Sequence, residues 1–260
     1  MTVDSRPVLP SPDPQSLLDS NHPESGLHFA VAQTLEDVTD SWHLLYSVYR
    51  RVGYIPANPY ELHTTPHAIS PEALVVTAKI QGLTVGTICA IPDGPLGLPL
   101  DSVYHEQLQA LRQPGHTLLE IGLFADRRED VDRSFITILE LMRFTFYFGY
   151  HQATTDIVCG IPPRRARLYA RAFGFEIIGE PTNYASVQGN PVVLLHSSRA
   201  HLAANLDKYK AMDYFTQHPL ARDVFEPRFR FHPEQLAGSL LEKYLQYLKA
   251  AKGEPTPQFN

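Results

Sequence analysis

Between Leu118 and Glu176 the chain alternates strand-like apolar runs with helical ones, and this stretch limits the fold more than any other. It opens LLEIGLFADRR, continues through SFITILELMRFTFYFGY and TDIVCGI, and closes PPRRARLYARAFGFE. Period and Gly/Pro punctuation read as strand, helix, strand, helix and the start of another strand. One residue breaks the pattern: Glu120 is an acid inside an otherwise apolar strand. By two-residue alternation, an inward Glu120 brings Leu118, Gly122 and Phe124 inward with it.

The rest of the chain extends this layout. Residues 1–26 are rich in Pro, Ser and Asp, lack a hydrophobic period and are expected to be a flexible tail. LHFAVAQ (27–33) reads as a strand, followed by a helix from about Leu35 to Val52 with Thr34 and Asp37 as capping residues. Trp42, Leu45, Tyr49 and Val52 would form its buried face, and Gly53 ends it. A loop with Pro56, Pro59, Pro66 and Pro71 serves as a stiff pocket wall or as a plain connector. ALVVTAKI (73–80) and TVGTICAI (84–91) form a hairpin across Gln81–Gly82–Leu83. A short helix (102–111) precedes the organising stretch. Within that stretch the helices span about 134–149, apolar nearly all round and so buried against a sheet, and from Pro163 to Phe173–Gly174. FEIIGE and PVVLLHS supply the last two strands.

The order β-α-β-β-(α)-β-α-β-α-β-β predicts an α/β mixed sheet flanked by helices, with antiparallel hairpins at its ends and a parallel pair in the middle. A cleft for a ligand opens where those two central strands splay. The core would span 27–199, and 200–260 would be a helical C-terminal extension. Leu236, Leu240, Tyr244, Tyr247 and Leu248 predict one helix behind Pro233. The aromatic, loop-like segment Tyr214–Phe231 has three readings: it caps the core, covers a substrate or meets a second chain, which leaves a homo-oligomer open.

Composition excludes several classes. No window approaches 18 consecutive apolar residues, which argues against a membrane span, and the N-terminus lacks the basic start and apolar core of a signal peptide. A net charge of −6 disfavours a nucleic-acid binder, yet eight arginines (127, 128, 133, 143, 164, 165, 167 and 171) crowd into the organising stretch. Cys89 and Cys159 fall in apolar strands and read as buried free thiols of a reducing compartment. His43, His63 and His67 lack metal-ligand spacing, so no metal site is expected. No G-x-S-x-G signature and no nucleophilic cysteine indicates a covalent acyl-enzyme.

The element order, with GFE closing a helix that carries LYARA, resembles the GCN5-related N-acyltransferase fold. The segments YRRVGYIP (49–56), GLPLDSVYHEQLQALR (97–112), LLEIGLFADRR (118–128) and PPRRARLYARAFGFEIIGEPTNYASVQGNPVVLL (162–195) together resemble the FeeM-type N-acyl amino acid synthases, relatives of the acyl-homoserine lactone synthases. The resemblance spans roughly 27–195. It implies a bacterial, cytoplasmic enzyme without a metal or a permanently bound cofactor. The implied donor is acyl-phosphopantetheine on acyl carrier protein, and the implied acceptor is the α-amine of an amino acid.

That reaction needs a proton acceptor, because an α-ammonium of pKa about 8 is mostly charged at neutral pH. It also needs donors for the thioester oxygen as it becomes an oxyanion. Glu120 is the candidate base, its pKa raised if buried; the alternative is a solvent-facing place in the strand. Gly122 removes bulk beside the reacting carbonyl, and a bulge there would free an amide as oxyanion donor. Tyr169 is the candidate acid or thioester contact, or else a packed core tyrosine. Arg50 resembles an arginine that lines the acyl site in the lactone synthases, though it would be equally ordinary facing solvent. Tyr54, Phe124 and Arg164 complete the candidate substrate wall. The coenzyme A acetyltransferases of this fold cradle pyrophosphate in a Gln/Arg-x-x-Gly-x-Gly/Ala turn. Here the turn reads Arg127–Arg128–Glu129–Asp130–Val131–Asp132, without glycine. Arg127, Arg128, Arg133 and Arg165 (with Arg164) suit an acidic carrier protein by steering, or else form a solvated face. Two competing readings stand beside this one: an acyl-CoA-dependent N-acyltransferase acting on a small amine, and a non-catalytic ligand-binding protein of the same fold.

Overall fold

The computed structural model describes residues 21–22, 26–127 and 131–252. In chain order its elements are β1 (Asn21–His22), β2 (Leu27–Val31), α1 (Leu35–Arg51), β3 (Leu74–Ile80), β4 (Leu83–Pro92), α2 (Asp101–Leu111), β5 (Leu118–Asp126) and α3 (Val131–His151). They continue with β6 (Asp156–Ile161), α4 (Pro163–Phe173), β7 (Glu176–Ile177), β8 (Thr182–Tyr184) and β9 (Asn190–Ser198). The extension adds α5 (Arg199–Ala204), α6 (Lys210–Gln217), α7 (Pro233–Leu236) and α8 (Leu240–Lys252). The sheet runs β1-β2-β3-β4-β5-β6-β9-β7, with β8 also on β9. Among the described strands, only β5 and β6 pair in parallel.

Local chemistry accounts for the early elements. Thr34 caps α1 by accepting from the Asp37 amide, and the Asp37 carboxylate accepts from the Thr34 amide, a reciprocal capping box. Gln81 and Gly82, both at positive φ (49° and 83°), close β3 onto β4 in the left-handed geometry a two-residue hairpin needs. Gly174 ends α4 at φ 71°, and the side chains of Leu202 and Tyr209 lie too close there for a Cβ.

Two apolar cores lie on the two faces of the sheet. One packs α3, α4 and α6 through Phe144, Phe148, Phe173 and Phe215; the other packs α1, α2 and α8 through Trp42, Tyr104 and Tyr244. The extension serves both. Tyr214 donates its hydroxyl to Glu140 of α3, which is also ion-paired with Arg143, and Phe231 stacks on Trp42 at 5.6 Å. It therefore crosses from one face to the other.

Several expectations are corrected. Asn21–His22 pair with β2 rather than belonging to a tail, while residues 1–20 and 23–25 lie outside the described residues. Val52 is 48% exposed because α1 has ended beneath it, so the buried face is Val38, Ser41, Trp42, Leu44 and Leu45. Tyr214 is helical, in α6. The single helix expected behind Pro233 is two, α7 and α8, separated by a turn in which Gly238 takes φ 72°.

Candidate active site

The parallel ladder between β5 and β6 holds only at Leu118↔Asp156, Leu119↔Ile157 and Glu120↔Val158. β5 runs on to Asp126 and β6 to Ile161, so the strands part just beyond Glu120. Their closed end is bolted. Buried Asp156 accepts hydrogen bonds from ring nitrogens of His116 and His196 at 2.7 Å each, tying the approach to β5, the start of β6 and β9 together.

A bulge shapes the open end. Against β4, Gly122 pairs with Cys89 and Ala125 with Thr87, so β5 carries one residue more than its partner over this interval. Leu123 absorbs it at φ 48°, a left-handed conformation uncommon for a residue with a Cβ. The extra residue reverses the alternation: Leu123 packs with the α1-side core and Phe124 with the α3-side core. Phe124 thus lies on the face opposite Glu120, not beside it as strict alternation predicts.

Two chambers meet at the splay. The first, about 260 Å³, is lined by Glu120, Leu100, Tyr184 and the inner side of α8. The second, about 180 Å³, is lined by Phe124, Arg51, Arg164, Arg165 and Tyr169. Tyr49, Tyr54, Ile121, Gly122, Leu123, Gly160 and Pro162 line both, which makes the two one groove through the sheet.

Glu120 is 5% exposed. Burial pushes its pKa up, the charges of Asp101 and Asp93 add to the rise, and the Leu100 amide, donating to Oε2 at 3.0 Å, holds it back; the result is about 8. Oε1 accepts no hydrogen bond among the described residues. A Cβ on Gly122 would stand 3.6 Å from it, so the carboxyl group sits against the bulge. The amide of Leu100 is itself held in place. Arg112 ion-pairs with Asp93 and Asp101 at 2.6 Å each, and Asp101 accepts from the Leu98 amide at 2.7 Å. Gly160 leaves room for Leu100, because a Cβ there would meet the leucine Cδ2 at 2.5 Å.

The other candidates divide. Tyr54 lines both chambers, its ring edge-on to Tyr49 at 5.7 Å. Tyr169 is buried against Phe173 and Phe175 in the second chamber, across the groove from the Glu120 chamber rather than within it. Arg50 is not brought to the groove; it is exposed in a surface depression with Asp40, Glu61 and Arg127. Its neighbour Arg51 lines the second chamber instead and donates to the Arg127 carbonyl at 3.3 Å. Arg128 and the side chain of Arg133 lie outside the described residues. Sequence reasoning missed Leu100, Arg112 and the residues of α8.

A mixed sheet whose one parallel pair parts over a groove, with a buried carboxyl group at the parting, defines an acyltransferase of the GCN5-related fold. The comparisons agree. The family described as N-acyl amino acid synthase FeeM matches residues 40–198, and the chain belongs to that family as an N-acyltransferase. Among solved structures, FeeM, an N-acyl amino acid synthase from uncultured soil microbes, superposes with a TM-score of 0.62 at 20% identity, over 72% of this chain and 96% of that one. TofI, in a ternary complex with an inhibitor and MTA, gives 0.54 at 15% identity, over 72% and 98%. BjaI, a CoA-dependent acyl-homoserine lactone synthase, gives 0.50 at 16% identity, over 74% and 98%. No protein with a curated description matches the chain in sequence. No described helix is long and apolar enough to cross a membrane.

Proposed function

We propose that this enzyme transfers a fatty acyl group from the phosphopantetheine thioester of acyl carrier protein to the α-amine of an amino acid by direct attack. The observation that carries the reading is the placement of Glu120, buried with its pKa near 8 at the point where β5 and β6 part. A group of that pKa takes a proton from an ammonium of similar pKa at little cost. The freed nitrogen lone pair attacks the thioester carbon. The carbonyl oxygen gains the negative charge opposite β5 backbone that, from Ile121 onward, has no ladder partner on β6. The carbon–sulfur bond then breaks, the nitrogen gives up its second proton, and the leaving thiolate takes one up. Tyr169, lining the second chamber, is the candidate donor for that last step. No acyl-enzyme is needed: both cysteines are buried, and burial raises their pKa.

Arg51, Arg164 and Arg165 on the second chamber favour a phosphate-bearing donor entering from that side. A carrier protein presents one phosphate and an acidic surface, which suits scattered arginines better than a glycine cradle. Such a donor implies the cytoplasm of a bacterium. An acyl-CoA donor is the second reading, since BjaI is CoA-dependent. The test is to supply purified enzyme with acylated carrier protein or acyl-CoA and all amino acids, and to identify acyl amides by mass spectrometry. The expected outcome is amide from the carrier-bound donor, with kcat/KM reduced about 10²- to 10⁴-fold by Glu120→Gln. No amide from the carrier, or an undiminished Glu120→Gln enzyme, overturns the reading.

A further inference from the structure

The Glu120 chamber has a wall that the family match does not include. Tyr247, Leu248 and Ala251 of α8 line it, although the match ends at residue 198. α8 is firmly seated: Leu241, Tyr244 and Leu245 are buried in the α1-side core, and Tyr60 lies edge-on to Tyr244 and Tyr247 at 5.9 and 6.0 Å. Charge sorts the two chambers. The Tyr169 chamber carries three arginines, whereas no described lysine or arginine lines the Glu120 chamber, whose one carboxyl group is Glu120 itself. An anionic group there would be desolvated beside a carboxyl group without a counter-cation, at high cost. A hydrocarbon chain meets no such penalty and gains from each methylene it buries.

Resting on the acyl-transfer reading above, we propose that α8 is the end wall of the fatty-chain chamber. Leu248 and Ala251, with Tyr247, set the acyl length that the enzyme accepts. Phosphate and carboxylate groups stay on the arginine side of the splay, the thioester carbon sits at Gly122, and the chain runs past Glu120 to the inner side of α8. The extension thus supplies specificity to a core built elsewhere.

Calorimetric titration with a series of acyl-pantetheine analogues, a methylene replacing the thioester sulfur and the chain growing from six to about sixteen carbons, tests this in the full-length protein. For wild type, Kd is expected to fall about fourfold per methylene until the chain meets α8, then to level off. Leu248→Trp and Ala251→Trp should bring the break about two carbons earlier, and Leu248→Ala should delay it. Ala251 is exposed, so its variant also serves if Leu248→Trp fails to fold. Product profiles from the acyl-transfer assay should shift in acyl length with the amine acceptor unchanged. A break at the same length in every folded variant, no binding of the series by wild type, or a shift in acceptor preference instead of acyl length would each overturn the proposal. Absence of amide product with every donor and amine would sink the acyl-transfer reading, while the binding series would still decide the role of α8.

Discussion

At Glu120 one carboxyl group links stability and chemistry in opposite senses. Its pKa is raised from the usual carboxylate value to about 8, so across that window the folded protein holds a proton that the unfolded chain has released. Stability from this group is therefore full at acidic pH and declines as pH rises, by at most about 1.4 kcal/mol per pH unit. Glu120→Gln should abolish that slope and leave the protein more stable than wild type at pH 8.5, read by urea unfolding at pH 5.5 and 8.5. An unchanged slope would show that Glu120 is not held protonated by burial. Activity should run the other way. With the base ionised only toward high pH, wild-type kcat/KM is expected to climb through about pH 8, and the glutamine variant should lose that limb along with most of its rate. The oddity of an acid in LLEIGLF was plain in the chain. Its depth was not, since burial depends on Leu100, twenty positions earlier, closing over it.

The loop between β4 and α2 is the element on which that carboxyl group depends. For Asp101, burial works to raise the pKa, but hydrogen bonds and charge from Arg112 and the Leu98 amide outweigh it and leave the group below the usual carboxylate range. Arg112→Met would leave Asp93 and Asp101 uncompensated near Glu120 and release the Leu100 amide. We expect a loss of about 1–3 kcal/mol in stability. The rising limb of the kcat/KM profile should move to higher pH, as the two carboxylates, no longer offset by the guanidinium, disfavour ionisation of Glu120 more strongly. A profile that stays in place would show that the clamp does not reach the base. The hairpin at Gln81–Gly82 and the Thr34–Asp37 capping box were legible because each is a bargain among near neighbours. The bulge at Leu123 was only half legible. Gly122 marked it, but the number of residues each strand spends is settled between strands, and that count turned Phe124 away from Glu120.

For the whole molecule, the two ends of the groove carry different chemistry. Arg51 and Arg164 stand on the donor side, and Arg51→Gln with Arg164→Gln should raise KM for acyl carrier protein about three- to tenfold with little change in kcat. The variant's KM should also depend less steeply on salt, because the lost interaction is one of steering charges. An equal effect with a free acyl-pantetheine donor would show that these arginines bind the arm rather than steer the protein.

What the chain determined by itself was the succession of elements around one parallel pair, and hence a sheet that must part somewhere near Glu120. Period, caps and turn residues act over a few positions, and they sufficed for that. Which side chains share the groove was decided only by tertiary packing. Arg51 rather than Arg50 faces it because of where α1 rests on the sheet, and α8 joins the wall of the Glu120 chamber through the buried contacts of Tyr244 and Phe231. Such contacts join residues remote in sequence, and no local preference records them.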